Sequence, residues 1–172
     1  LAVGASSFTP LIPGVDGPNV RDAWKVLAGV QGVSGRVAIV GGGVVGCETA
    51  EHLGAQGYKV SIVEMQGQIA IGLSTTVLPT MLQNYRRFGV EQYTGHKVLE
   101  IAIGQLICTD KDGRVVKIRC DSVVIASGAR PVAFETEGLT NQGVEVVMVG
   151  DCREVADISH ATKTAYDAAN AL

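Results

Sequence analysis

One stretch constrains this chain more than any other: residues 37–53, VAIVGGGVVGCETAEHL. An apolar run meets three consecutive glycines and gives way to a helical pattern. Gly41, Gly43 and Gly46 fit G-x-G-x-x-G, a weak signal taken alone. Its surroundings strengthen it. A short apolar strand is expected over residues 37–40 and a helix over 43–56, with Gly57 at the C′ position. The next strand, KVSIVE, ends in an acid, Glu64. Gly41 permits a tight turn out of the strand, Gly43 lets a pyrophosphate approach the backbone, and Gly46 lets the helix lie close to the sheet. With Gly42, Val44 and Val45 between them, the N–H groups of the first helical turn would face the phosphates, and the helix dipole favours that charge.

Glu64 stands 18 residues after Gly46. A carboxylate there suits the hydroxyls of an adenosine ribose and repels a 2′-phosphate. Residues 65–74, MQGQIAIGLS, contain no Lys or Arg. NAD(H) is therefore expected over NADP(H). Plainer readings are a glycine turn that only packs and a solvated acid at a strand end. Glu48, read as lying in the first helical turn, is accounted for by the dipole alone.

The remaining chain alternates in texture. Residues 1–5 read as the end of a buried strand, 6–19 as a turn-rich connector and 22–30 as a short helix. A second helix is expected over 75–88, ended by Gly89. Strand, helix, strand, helix implies right-handed crossovers and a parallel sheet. HKVLEIAI, QLICTD and VVKIRC then read as a three-stranded antiparallel meander, with a hairpin through Asp112-Gly113. The calcium loop that Asp110 and Asp112 suggest lacks its distal Glu. Buried strands are expected again over 123–127 and 144–149, and a last helix over 159–172 with Asp157 or Ser159 as N-cap.

Composition bounds the function. With 47% hydrophobic and 18% charged residues the chain can bury a sizeable core. A net charge of −3 gives no basic surface for nucleic acid. No apolar run is long enough for a membrane helix. Cys47, Cys108, Cys120 and Cys152 form no close pair, so a zinc site or redox dithiol is not expected, and buried thiols in the cytoplasm are. No metal site is expected. The opening LAVGASSFTP, inside a strand, suggests a piece of a longer protein.

Two segments share a form: LAVGAS at Leu1 and IASGAR at Ile125. With the glycine cluster, these exits carry a resemblance to the pyridine nucleotide-disulfide oxidoreductase superfamily. LAVGASSFTPLIPG resembles its A-T-G exit and P-x-I-P-G connector, and DSVVIASGARP its second exit. VEVVMVGDCREVADISHATKTAYDAANAL resembles the G-D motif of its FAD domain. Within the superfamily the chain is most similar to the C-terminal module of 2,4-dienoyl-CoA and 2-enoate reductases. The A-T-G threonine is Val3 in one exit and Ser127 in the other.

The resemblance implies an α/β fold: a Rossmann-like parallel sheet with helices on both faces and the meander as crossover. It implies residues 34–128 as the NAD(H)-binding domain and 1–33 and 129–172 as parts of an FAD domain. Gly41 to Gly46 would hold the pyrophosphate, and Glu64 with Met65 the adenosine ribose. Glu48, Ser127 and Gly128 would lie near the nicotinamide. Gly150 and Asp151 would meet the FAD ribityl chain, with the last helix aimed at the flavin and His160 beside it. His52 and His96 are read as structural. No catalytic residue is assigned. FAD belongs to the intact protein, and FMN and an iron–sulfur cluster to missing N-terminal flavin and barrel regions. The implied function is an NADH-binding module of a flavin-dependent oxidoreductase, an enoate or dienoyl-CoA reductase. NADH oxidase, ferredoxin reductase and disulfide reductase branches remain open, as does a stand-alone NAD(H) sensor. Without flavin-domain neighbours, residues 144–149 would leave apolar surface open to self-association.

Overall fold

The computed structural model describes residues 1–171. In chain order the elements are β1 (Ala5–Ser7), β2 (Val20–Asp22), α1 (Ala23–Leu27), β3 (Arg36–Val40), α2 (Val44–Ala55), β4 (Lys59–Glu64), α3 (Leu78–Phe88) and β5 (Glu91–Thr94). Then follow β6 (Lys97–Ala102), β7 (Gln105–Thr109), β8 (Val115–Arg119), β9 (Ser122–Ile125), β10 (Ala129–Pro131), α4 (Glu137–Thr140), a 3-10 turn (Gly150–Cys152) and α5 (Ile158–Ala169). Residues 9–128 form one compact unit; residues 1–8 and those from 129 onward form another.

The larger unit is built on a parallel sheet of order β2-β9-β3-β4-β5. Side chains alternate across it, as the two-residue period of a strand requires. Val37 and Ile39 join one core with Val60, Ile62 and Val124; Ala38 and Val40 join a second with Val63, Val123 and Ile125. Both faces are covered, which is why these strands read as continuous apolar runs. The first core is closed by Cys47, Ala50 and Leu53 of α2, Met81 and Tyr85 of α3, and Ala23 and Val26 of α1. The second is closed by Ile101, Leu106, Cys108 and Ile118 of the β6-β7-β8 meander. Of the two faces that the resemblance clads in helices, one carries helices and the other carries the meander.

Local signals explain the boundaries. Gly89, in the left-handed region (φ +70°), ends α3. Asp110 Oδ1 accepts from the Asp112 and Arg114 N–H groups, both at 2.9 Å, and sets the β7–β8 hairpin. Asp157 caps α5, accepting from His160 N–H at 2.7 Å.

Several expectations are corrected. Residues 144–149 form no strand. They touch one extended neighbour, through Leu1 N to Val147 O (2.7 Å) and Val149 N to Leu1 O (3.0 Å), and Val144 and Val147 are exposed. A ladder needs a longer partner than Leu1 offers. The first strand is Ala5–Ser7 rather than residues 1–5, because its partner β10 sits opposite those residues. Strand β5, EQYT, has no apolar alternation; it is recruited by backbone pairing to β4. Residues 9–33, grouped by the sequence with the flank, are built into the larger unit. There β2 pairs with β9, and Ala23 and Val26 enter the core.

The smaller unit is sparse. The β1–β10 pair, the Arg130 guanidinium 3.8 Å from the Phe8 ring centroid, and buried Cys152 hold it together. Gly150 N–H donates to Thr164 Oγ1 at 2.9 Å, tying the 3-10 turn to α5. No side chain described in α4 or α5 is buried.

Candidate functional site

Strands β3 and β9 are parallel neighbours, so their carboxyl ends lie side by side, and the glycine turn leaves the end of β3 toward α2. Open parallel sheets bind ligands at the carboxyl ends of their strands. The chain exits there are pinned. Gly41 N–H donates to Val63 O (2.9 Å) and Ala126 N–H to Val40 O (2.8 Å).

The glycines differ in what they permit. At Gly41 φ is +107°, and a Cβ would lie 2.4 Å from Ala126 O. At Gly46 a Cβ would lie 2.0 Å from Gly41 O, so the helix starts hard against the turn. Gly43, the α2 N-cap, has nothing within 4 Å of its Cβ position. No side chain caps α2. Its first bond runs from Cys47 N–H to Gly43 O (2.9 Å), so the N–H groups of Val44, Val45 and Gly46 precede the ladder. An anion can therefore approach Gly43 from the open side and meet bare donors.

Gly42 is held from both ends. Its N–H donates to Glu64 Oε2 at 2.7 Å, and its carbonyl accepts from Ala70 N–H at 2.6 Å and from Cys47 Sγ at 3.3 Å. Glu64 Oε1 accepts from Gln66 N–H at 2.7 Å. An ionised carboxylate offers about four acceptor positions, so two backbone donors leave room for two more, the number a ribose diol supplies. The bare donors, the open face at Gly43 and this half-filled carboxylate together fit a dinucleotide.

Met65, exposed, follows directly at the strand end. Ser127 Oγ donates to Val40 O at 3.3 Å, and Gly128, exposed with φ +97°, follows it. Glu48 is corrected: α2 begins at Val44, which puts Glu48 beyond the first turn, on an exposed position. The dipole therefore gives a weak account of it. Gly150 and Asp151 lie in the smaller unit, where Asp151 Oδ1 accepts from Ala156 N–H at 3.3 Å. The N-terminus of α5 is already met by the Asp157 carboxylate. His160 stands 3.6 Å from Glu154. His96 Nδ1 lies 2.8 Å from Thr94 O, and His52 pairs with Gln56 at 2.8 Å.

The fold of the segment after Glu64 carried no sequence signal. It includes Ala70, buried with φ +60°, and Ile69, which packs on Gly42. Other shifted groups serve the scaffold. Burial pushes the Cys108 and Cys120 thiols up to about 11, away from the reactive thiolate. Burial also raises Tyr85, whose hydroxyl donates to Cys47 O at 2.7 Å. Among the described residues no cluster of His, Cys, Asp and Glu could hold a metal ion, and no helix is long and apolar enough to cross a membrane.

Residues 1–147 match the pyridine nucleotide-disulphide oxidoreductase family. The chain belongs to that family. It is 44% identical to a bilirubin reductase of Mediterraneibacter gnavus, over 100% of this chain and 27% of that protein. It is 37% identical to an NADH oxidase of Thermoanaerobacter brockii, over 98% and 27%. A 2-naphthoyl-CoA reductase structure shares the fold, with a TM-score of 0.87 at 23% identity over 96% of this chain and 25% of that one. The chain thus spans about a quarter of the length of these relatives, and the family's oxidoreductases carry further regions beyond it.

Proposed function

We propose that this chain is the NADH-binding module of a longer, flavin-dependent oxidoreductase. The observation that carries the reading is the open Gly43 face with its uncapped α2 N-terminus, set beside the half-filled Glu64 carboxylate. Gly41 to Gly46 hold the pyrophosphate by backbone N–H groups. Glu64 takes the ribose hydroxyls, and Met65 borders them. Ser127 and Gly128, at the end of β9, border the nicotinamide side, with Glu48 near it. The bound dinucleotide supplies hydride for a flavin; the residues here bind, orient and exclude water. FAD belongs to the intact protein, where Gly150 and Asp151 meet it, and FMN and an iron–sulfur cluster belong to further regions. In that setting the enzyme works in the cytoplasm.

Reduction of an enoate or enoyl-CoA double bond is the favoured overall activity; the likeness to a bilirubin reductase supports a reductase of an organic acceptor. The second reading, an NADH oxidase, is supported by the T. brockii relative. A stand-alone sensor is disfavoured by the fourfold greater length of the relatives.

Calorimetric titration with NADH, NADPH and FAD tests the binding reading. NADH should bind, with NADPH at least about tenfold weaker because its 2′-phosphate meets Glu64. Glu64→Ala should weaken NADH by about tenfold or more through two lost charge-assisted hydrogen bonds. Tight FAD binding with none for NADH would reverse the assignment of the glycine turn.

A further inference from the structure

The nucleotide-binding reading assigns work to the glycine turn and to Glu64, and leaves unexplained why the chain after Glu64 folds back over that turn. Residues 66–73 return across Gly42 and are fastened at several points. Ala70 N–H donates to Gly42 O at 2.6 Å, Leu73 N–H to Ala70 O at 3.0 Å, and Gly95 N–H to Gln66 O at 2.7 Å. Ile69 lies so close that a Cβ on Gly42 would be 2.7 Å from its Cγ2 and 3.2 Å from its Cβ. The contact is made by Ala70 at φ +60°, among the described residues the one non-glycine in the left-handed region, with its methyl buried in the helix-side core. Such a conformation is held only where the surroundings over-determine it, and it gathers where geometry serves a site.

We propose that residues 66–73 form a clasp that positions the phosphate-binding turn, with Ala70 as its pivot and Ile69 as its stop. The inference rests on the nucleotide-binding reading above. Glu64 draws the Gly42 N–H toward β4, and Ala70 holds the Gly42 carbonyl from the other side. Together they set the peptide that leads into Gly43, and so the direction of the bare N–H groups that follow. Ala70 and Ile69 are positioning residues; they act on the ligand through Gly42. The stop, together with Glu64 Cβ at 3.0 Å from the same position, also explains the middle glycine of the GGG run, for which the bare fingerprint has no requirement.

Two variant sets test this by calorimetry with NADH and ADP-ribose on the 172-residue chain. Ala70→Val, β-branched and ill-suited to φ +60°, should raise both dissociation constants by about tenfold at unchanged stoichiometry. Ala70→Gly should recover that loss, because glycine takes the left-handed region freely. Gly42→Ala, whose Cβ would lie 2.7 Å from Ile69 Cγ2 and 3.0 Å from Glu64 Cβ, should weaken binding, and Ile69→Ala in the same chain, which removes the nearer contact, should restore part of it. Unfolding would instead lower the stoichiometry, and if Ala70→Val fails to fold, the Gly42/Ile69 pair decides. Wild-type affinity in both Gly42→Ala and Ala70→Val overturns the clasp and leaves the nucleotide reading standing. Absence of NADH binding to the wild-type chain overturns both.

Discussion

Gly41 and Gly150 both follow an apolar run, VAIV in one case and VEVVMV in the other, and both have positive φ, +107° and +65°. Their surroundings differ. Gly41 leaves a strand paired on both sides, and a Cβ there would strike the Ala126 carbonyl. Gly150 leaves a segment with one residue, Leu1, beside it, and a Cβ there would meet Ala161 Cβ at an ordinary 3.4 Å. The larger unit therefore holds its motif with its own core, whereas the smaller unit carries its motif without one. Phe134, Leu139, Val144, Val147, Ile158 and Tyr166 stay exposed around it. Similar sequence texture gives sheet in one place and extended coil in the other, because a strand is made by its neighbours as much as by its residues.

The sharpest way to break this contrast is to add one methyl to each motif. Gly46→Ala places Cβ 2.0 Å from a backbone oxygen that cannot rotate away. It should cost at least about 3 kcal/mol and remove measurable NADH binding. Gly150→Ala faces only the left-handed backbone penalty of roughly 1–2 kcal/mol. It should leave NADH affinity unaltered, since Gly150 sits in the other unit. Thermal melts with and without NADH read both. Equal losses from the two substitutions would mean that the turns are not differently supported.

An intermediate effect concerns the open apolar surface. We expect the isolated chain to self-associate through the smaller unit as its concentration rises, and a protease to cut first between residues 132 and 157. Light scattering should then report a monomer once those residues are cleaved. A chain that is monomeric throughout, or that is cut first in the meander, would remove the idea that the smaller unit is the unfinished one.

Much of the larger unit was legible because its signals are local. The glycine fingerprint, Gly89 at the end of α3 and Asp112-Gly113 at the hairpin act within a few residues of themselves. Strand β5 was not legible, since its EQYT side chains do not alternate and only its backbone finds β4. The strand expected over 144–149 was read from apolar content, a signal of burial that presumes a partner layer. Within the site, Glu64 announced itself by spacing, but its hydrogen bonds to Gly42 and Gln66 did not. Ala70 was invisible, because nothing in an alanine's neighbours predicts a positive φ when the cause is a carbonyl 28 residues earlier.

The smallest expected effect sharpens the same comparison. In the larger unit Asp121, just before β9, grips Arg36 at the start of β3. Its Oδ2 accepts from the Arg36 Nε at 3.0 Å and backbone N–H at 2.8 Å, and its Oδ1 from Nη2 at 3.1 Å. Among the described residues the smaller unit has ion pairs only within α5 or its approach, Lys163–Asp167 and His160–Glu154. The Arg36 side chain and then its backbone N–H hold the Asp121 carboxyl down to about 2, below the ordinary 3.8. A depressed carboxyl pKa stabilises the fold fully above the unfolded value, and that contribution is lost as pH falls through the folded value. The window is thus about pH 4 down to pH 2. Both side chains are more than two-fifths exposed, so the effect is modest and weakens with salt. Melting temperatures taken from pH 6 to pH 2 should fall more steeply below pH 4 in the wild type than in Asp121→Asn, which should melt lower at pH 6. Parallel curves would show that the two strand starts are joined by packing alone, and that the larger unit needs no electrostatic staple that the smaller one lacks.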